Sequence, residues 1–282
     1  MNPIHCTLGL LTYNSAATLE RCLTSAVGFS DIVIADGGST DRTLEIAERY
    51  GARVIPQTAL RAPIKDFARE RNLLLTTATE KWFFYLDSDE VMSQELVEEI
   101  RRLTKDSATK EQAFRVRYLK TNEELTKIYR TFKEYYQVRL VRTDIGARFE
   151  RAVHERLTLP KNTLMGQIEA PWYVLLDKDD LSLRVFVPKA WKRIGIQAAE
   201  WRPRNPLEAF MRIIGTPLTL VSKSLVKMIA VPLRWGNKGI PTKYEFLRLI
   251  YALCIPLRHF ARLLSLLVGM GRNKEKQDSG KE

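Results

Sequence analysis

Across residues 4–104, short apolar runs alternate with amphipathic stretches, and few folds accommodate that alternation. The run CTLGLLTY (6–13) breaks at Asn14-Ser15 and is followed by AATLERCLTSA, where Leu19, Cys22, Leu23 and Ala26 fall at helical spacing. DIVIAD (31–36) reads as a second strand. The next segment, GGSTDRTLEIAERYG, offers Ser39 or Thr40 as a helix cap, Leu44, Ile46 and Ala47 as a buried stripe, and Gly51 as a stop. A third strand is expected at 52–57, a helix at 64–78, a fourth strand at 81–87 and a helix at 93–104. Strands and helices in this order predict an α/β fold: a mixed, mostly parallel sheet with helices on both faces. In such sheets ligands bind at the carboxyl ends of the strands. Asn14, Asp36 and Asp87 all stand at predicted strand ends.

From about 112 to 176 the pattern changes to β-rich segments, AFRVRYLK, YQVRLVRT, RFERAVHERLTL and WYVLLD, which predict an antiparallel addition to the sheet. Pro203 and Pro206 then separate a domain of residues 1–206 from a leucine-rich tail over 207–271 and a polar, disordered end over 272–282. Charge is uneven. The chain carries +12, and from Leu207 onward 13 Lys/Arg stand against 5 Asp/Glu, so the tail holds +8 of it. That excess favours anionic partners. The three cysteines share no CxxC spacing and predict reduced thiols in a cytosolic protein, and the N-terminus shows no export signal.

The strand ends carry the chemistry. Thr12, Tyr13 and Asn14 supply a ring and polar groups able to stack on and bond a flat heterocycle. Asp36 is an acceptor for a base edge or ribose hydroxyls, and Gly37-Gly38 permits close approach of a ligand to the backbone. Asp87 and Asp89, spaced by Ser88 in an extended segment, suit a hard divalent cation bridging phosphate oxygens, and Glu90 is assigned to the start of the next helix. Each piece has an ordinary alternative: GGSTD as a turn and helix cap, DSDE as a polar turn before a helix, Tyr13 as core. Their joint order is what points to a nucleoside-diphosphate site.

Together, TYNSAATLERCLTSA, IVIADGGSTDRTLEIAERYGARV, ARERNLLL and WFFYLDSDEV resemble the successive signatures of glycosyltransferase family 2, which has the GT-A (Rossmann-like) fold. The chain is similar to its bacterial lipopolysaccharide-core β-glucosyltransferase branch, over about residues 4–175. The resemblance implies a nucleotide-sugar half (about 1–110) and an acceptor half (about 111–206). It implies that Thr12, Tyr13 and Asp36 contact the nucleotide, with Arg71 near it and Asn72 behind. Asp87 and Asp89 would hold Mg²⁺ or Mn²⁺, and transfer would invert the anomeric carbon. The family's usual carboxylate before the YQxRL segment is replaced by Tyr135, with Glu134 one residue earlier. Glu155 of AVHER is the preferred base, His154 a supporting or metal-side group, and Glu134 the other candidate. The donor expected is a nucleotide sugar, UDP-linked by preference, and the acceptor a cell-envelope glycan or a lipid-linked sugar.

The tail interleaves leucine with Lys223, Lys227, Arg248, Arg258 and Arg262. Its charge-free runs are short against the roughly 20 residues that span a bilayer, and Pro217, Pro232 and Pro256 are expected to interrupt its helices. These features predict amphipathic helices lying on the inner face of the cytoplasmic membrane, or else packing on the domain or a second subunit. Nucleic acid is not expected as a partner, because the basic residues are not interleaved with aromatics. A catalytically silent, membrane-associated scaffold of the same fold remains the alternative.

Overall fold

A strand whose residues are all apolar needs cover on both faces, and the computed structural model supplies it. The structure describes residues 2–61, 64–106, 108–152, 155–176 and 182–278. The chain divides into two compact units, Met1–Leu176 and Asp177–Glu282.

In the first unit, strands β1 (Ile4–Thr12), β2 (Phe29–Asp36), β3 (Arg53–Pro56) and β4 (Trp82–Asp87) run parallel in the order β3-β2-β1-β4. Helices α1 (Ala16–Ser25), α2 (Thr43–Arg49) and α3 (Phe67–Thr77) connect them, and β5 (Glu90–Met92) and α4 (Gln94–Lys105) follow. Trp82, Phe84 and Leu86 enter one apolar cluster with Leu8 and Leu10 of β1, Leu19 of α1, Ile46 of α2 and Ile100 of α4. Phe83 and Tyr85 enter the other, with Leu74 of α3. The period-2 split of one oily run between two clusters is the signature of a sheet covered on both sides. Gly9 sits mid-strand because a Cβ there would lie 2.6 Å from the Phe83 ring.

Helix α2 starts later than Ser39 or Thr40 would place it. Asp41 Oδ1 accepts the Thr43 N–H (3.0 Å) and so sets the first turn. Gly51, at φ +67°, ends the helix as expected.

The sheet continues through β6 (Ala113–Thr121), β7 (Ile128–Tyr129), β8 (Tyr135–Arg142) and β11 (Met165–Leu175), giving nine strands among the described residues, with the long path β3-β2-β1-β4-β8-β6-β11-β5. Strand β8 is antiparallel to β4 and β6, but β6 and β11 pair in parallel. The long excursion between those two lets the chain return in the same direction, which a hairpin does not allow. The segment 148–159 is not one strand. It forms β9 (Arg148–Glu150) and β10 (Arg156–Thr158), an antiparallel ribbon whose Phe149 and Leu157 cover the α3 side of the sheet. Asn72 of α3 holds the ribbon: its Nδ2 donates to Phe149 O (2.9 Å) and its Oδ1 accepts from Phe149 N–H (2.8 Å).

The second unit is helical: α5 (Leu183–Glu200), α6 (Pro206–Phe210), a π-helical turn (Met211–Gly215), α7 (Thr216–Trp235) and α8 (Thr242–Asp278). The expected boundary near 206 therefore moves to 176/177, since α5 packs on α8, with Arg258 over the Trp191 ring at 4.1 Å. Helix α8 continues to Asp278, where the sequence suggested a disordered end from 272. The prolines do not interrupt the helices as expected. The widened π turn precedes Pro217 and absorbs its ring. Pro232 lies near the end of α7, and Pro256 removes one donor from α8 without ending it. Two stretches, Pro206–Lys238 and Thr242–Leu266, are long and apolar enough to cross a membrane by length and composition.

Candidate active site

The parallel register places the predicted site residues side by side. Thr12 pairs with Asp36 and Leu11 with Asp87, so the ends of β2, β1 and β4 form one edge. The loops leaving that edge are laced together. Asn14, at φ +50°, donates its N–H to Ser39 Oγ (2.8 Å) and accepts the Thr40 N–H on its Oδ1 (2.8 Å). Asp36 is buried. Its carboxylate accepts from Thr12 Oγ1 (2.8 Å), Ser39 Oγ (2.6 Å), and the N–H groups of Gly38 and Ser39 (2.8 Å each). These bonds hold Gly38 at φ +83° and shape the turn after β2.

Tyr13 is exposed beside that turn. A Cβ on Gly37 would lie 3.1 Å from the Tyr13 ring and 3.0 Å from Gln57 Oε1, so glycine keeps a cleft open there. Gln57 is a residue the sequence reading missed. Its Nε2 donates to Thr12 O (3.0 Å) and Ala35 O (2.9 Å), while its buried Oε1 has no hydrogen-bond partner among the described residues. In the sequence it stood only as the last residue of the expected third strand.

The acidic turn is built from below by two arginines. Arg71, 1% exposed, donates Nη1 to Leu86 O (3.0 Å) and Nη2 to Asp87 Oδ1, with its guanidinium over the Tyr85 ring at 4.9 Å. Its Nε lies 3.7 Å from Glu155 Oε1 and makes no hydrogen bond among the described residues. One buried cation thus joins the strand-end acid to the preferred base candidate. Arg139 is the second, held between Tyr85 (4.4 Å) and Trp172 (4.5 Å) with Nη1 donating to Tyr85 O (3.0 Å).

Arg139 pairs with Glu90, and here the expectation that Glu90 opens the next helix is corrected. Glu90 belongs to β5, which is paired with β11, and Ser93 caps α4 by accepting Leu96 N–H (3.1 Å). The Glu90 carboxylate accepts from Arg139 Nη2 (3.0 Å), Trp172 Nε1 (3.0 Å) and Asp87 N–H (2.9 Å), with Arg139 Nη1 at 2.9 Å. Burial pushes this carboxyl up to about 7, against the pull of Arg139. A buried pair of this kind is a poor source of stability but a strong geometric constraint. It clamps the backbone of Asp87 through that N–H, while Ser88 Oγ, expected to be a mere spacer, donates to Ser15 Oγ (3.1 Å).

Asp87 ends β4, and Ser88-Asp89 form a tight turn rather than the extended segment expected. No cluster of three or more ligating side chains occurs among the described residues. Two carboxylates at these strand ends nevertheless fit a hard cation, which favours oxygen ligands.

The base candidates separate. Glu155, 21% exposed, faces Arg71 and lines a cavity of about 740 Å³ together with Tyr85, Tyr136, Arg156 and Lys161. Glu134, 61% exposed, pairs instead with Arg117 (2.9 Å) and accepts from Tyr136 Oη (3.3 Å). Tyr135 stacks on Tyr118 at 5.3 Å. His154 lies outside the described residues.

The chain is similar to known proteins in sequence and in fold. Residues 7–158 match the family model "Glycosyl transferase family 2". An uncharacterized glycosyltransferase of Rickettsia bellii is 33% identical over 92 residues, 32% of this chain and 30% of its own. A lipopolysaccharide core biosynthesis glycosyltransferase, LpsC, of Rhizobium meliloti is 29% identical over 89 residues, 32% of this chain and 33% of its own. The matched region thus spans about a third of the length of these curated relatives. In structure, the mannosyltransferase PcManGT of Pyrobaculum calidifontis, solved with GDP-Man and Mn²⁺, superposes over 92% of this chain and 88% of its own, with a TM-score of 0.51 at 14% identity. That likeness establishes the GT-A fold. With the family model covering more than half of the sequence, the chain belongs to glycosyl transferase family 2.

Proposed function

We infer that the protein is an inverting, cation-assisted glycosyltransferase. Its donor is a nucleotide-diphosphate sugar, UDP-linked by preference, and its acceptor a cell-envelope glycan or lipid-linked sugar such as the lipopolysaccharide core. The observation that carries this reading is the row Asp87–Arg71–Glu155, which runs from the strand-end loops to the cavity. The name of LpsC, and the GDP-Man and Mn²⁺ in the mannosyltransferase structure, support the same class of chemistry.

Each residue has a part in this reading. Tyr13 and the cleft at Gly37 receive the base, with Gln57 Oε1 an acceptor beside it. Thr12, Asp36 and Gly38 shape that pocket through the bonded turn, and Asn14 ties it to the neighbouring loop. Asp87 and Asp89 would hold Mg²⁺ or Mn²⁺, which would offset the charge developing on the departing diphosphate. Glu155 takes the proton from the acceptor hydroxyl as its oxygen bonds to the anomeric carbon and the bond to the diphosphate breaks. Arg71 fixes Asp87 and Glu155 relative to one another.

The helical unit anchors the enzyme at the inner face of the cytoplasmic membrane, where a lipid-linked acceptor is presented. The reading is tested by thermal shift with UDP-, GDP- and dTDP-sugars, each with and without Mn²⁺. Ligand at 100 times its Kd stabilises the folded state by about 2.7 kcal/mol, so one nucleotude series should raise the Tm and the raise should depend on Mn²⁺. If no nucleotide sugar shifts the Tm, the reading falls. Donor binding without any metal-dependent hydrolysis or transfer favours the silent scaffold instead, which the replacement of the family's acid by Tyr135 would suit.

A further inference from the structure

The cavity beside Glu155 has an unusual charge balance. Its wall includes two carboxylates, Glu150 and Glu155, and three cations, Arg151, Arg156 and Lys161. Both carboxylates are already engaged, Glu150 with Arg148 (3.8 Å) and Glu155 with Arg71 (3.7 Å). Among the described residues, none of the three cations, Arg151, Arg156 and Lys161, is ion-paired. Arg151 is also held at φ +74°, a left-handed conformation that costs an arginine about 1–2 kcal/mol. Strain of this kind persists where the surrounding structure imposes it, and it concentrates at ligand sites. The rest of the wall is a low-dielectric lining of Val138, Leu157, Leu159 and Pro160, with the Tyr136 ring beside them and Arg115 at 5.7 Å from that ring.

A surplus of unpaired cations in a concave, partly apolar wall focuses positive potential. Carbohydrate hydroxyls do not require it, whereas a phosphate or carboxylate gains charge-assisted hydrogen bonds from it. We propose that this cavity is the acceptor pocket, and that it selects a sugar carrying a phosphate or a carboxylate. The acceptor role rests on the transferase reading above; the anion selectivity rests on the cavity alone. The acceptor's anionic group sits against Arg151, Arg156 and Lys161, and the sugar ring lies on the apolar wall. This leaves a free hydroxyl directed to Glu155.

The test is binding of simple probes to the full-length protein by calorimetry: glucose 6-phosphate, glucuronate and glucose. At least one charged probe should bind about tenfold or more tighter than glucose, and the better of the two names the anionic group. The double substitution Arg156→Gln with Lys161→Gln should remove the preference. Arg156→Lys alone should keep it, as should Lys105→Gln on α4 as a surface-charge control. Equal binding of all three probes, or a preference that survives the double substitution, overturns the proposal. So does inorganic phosphate competing as well as glucose 6-phosphate, since the pocket would then read an anion and no sugar. UDP binding by the unaltered protein is measured alongside. Its loss counts against the donor reading, whereas indifference to charge with UDP bound counts against the cavity alone.

Discussion

Arg71 shows how much a single buried side chain can organise. Its guanidinium is planar and always charged, and here it spends one edge on the backbone of Leu86 and on Asp87 and turns the other toward Glu155. The two acids are therefore positioned by the same group; in the proposed reading one serves the donor side and the other the acceptor hydroxyl. Removing a general base slows such a step by about 10²–10⁴-fold. Glu155→Gln should lower transfer by that much while UDP affinity stays within about twofold, as measured by turnover and by calorimetry on one preparation. Glu134→Gln should leave turnover near normal, because its exposed pair with Arg117 is part of no cluster around Arg71. The opposite pattern would move the base to Glu134. The identity of the acids was legible in the sequence, but their grouping was not: Arg71 is 16 residues from Asp87 in sequence and meets it only because α3 lies beneath β4.

At the level of elements, the far edge of the sheet is as tightly bonded as the ligand edge. Asp31 near the start of β2 accepts from Thr7 of β1 (2.7 Å), from Arg53 of β3 (2.9 Å, twice) and from Thr79 ahead of β4 (2.7 Å). Burial alone would raise its carboxyl, yet the bonds from Arg53, Thr79 and Thr7 outweigh it and hold the group at about 2. A folded-state value below the unfolded one contributes stability above about pH 4 that is lost as the pH falls toward 2. The contribution is roughly 2 kcal/mol. In urea denaturation, the stability gap between wild type and Asp31→Asn should shrink by about that amount from pH 5 to pH 2. A gap of the same size at both values would show that Asp31 is not tuned by these strands. The alternation of strands and helices foretold these elements, but not that one aspartate would tie three of them.

At the scale of the whole molecule, the helical unit leaves a large apolar surface uncovered. Leu218, Ile229 and Leu233 of α7 and Leu257 of α8 are all exposed, and the two apolar stretches are 11% and 22% buried over their most hydrophobic windows. Soluble monomers rarely tolerate such continuous patches. The full-length protein should cosediment with vesicles containing anionic lipid at low salt. Replacing Leu218, Ile229 and Leu233 with Gln should weaken that binding about tenfold or more. Salt at about 0.5 M should weaken it only in part, because screening acts on the tail's charge and not on buried apolar area. Protein that stays in the supernatant at low salt would rule the anchor out.

The sequence by itself determined the order of strands and helices, the strand ends where acids and glycines cluster, and the family. All of these are written in local periods and short spacings that neighbouring residues enforce on one another. Tertiary structure alone decided that Glu90 is a buried partner of Arg139 and Trp172, 49 and 82 residues away, rather than the start of a helix. It decided that Gln57 opens onto the Tyr13 cleft, and that Glu155 rather than Glu134 faces Arg71. It also moved the unit boundary to 176/177. Each of these depends on which distant segments share a desolvated contact. A carboxylate in a sequence reads the same whether it will cap a helix or neutralise an arginine in the core, and only burial separates the two.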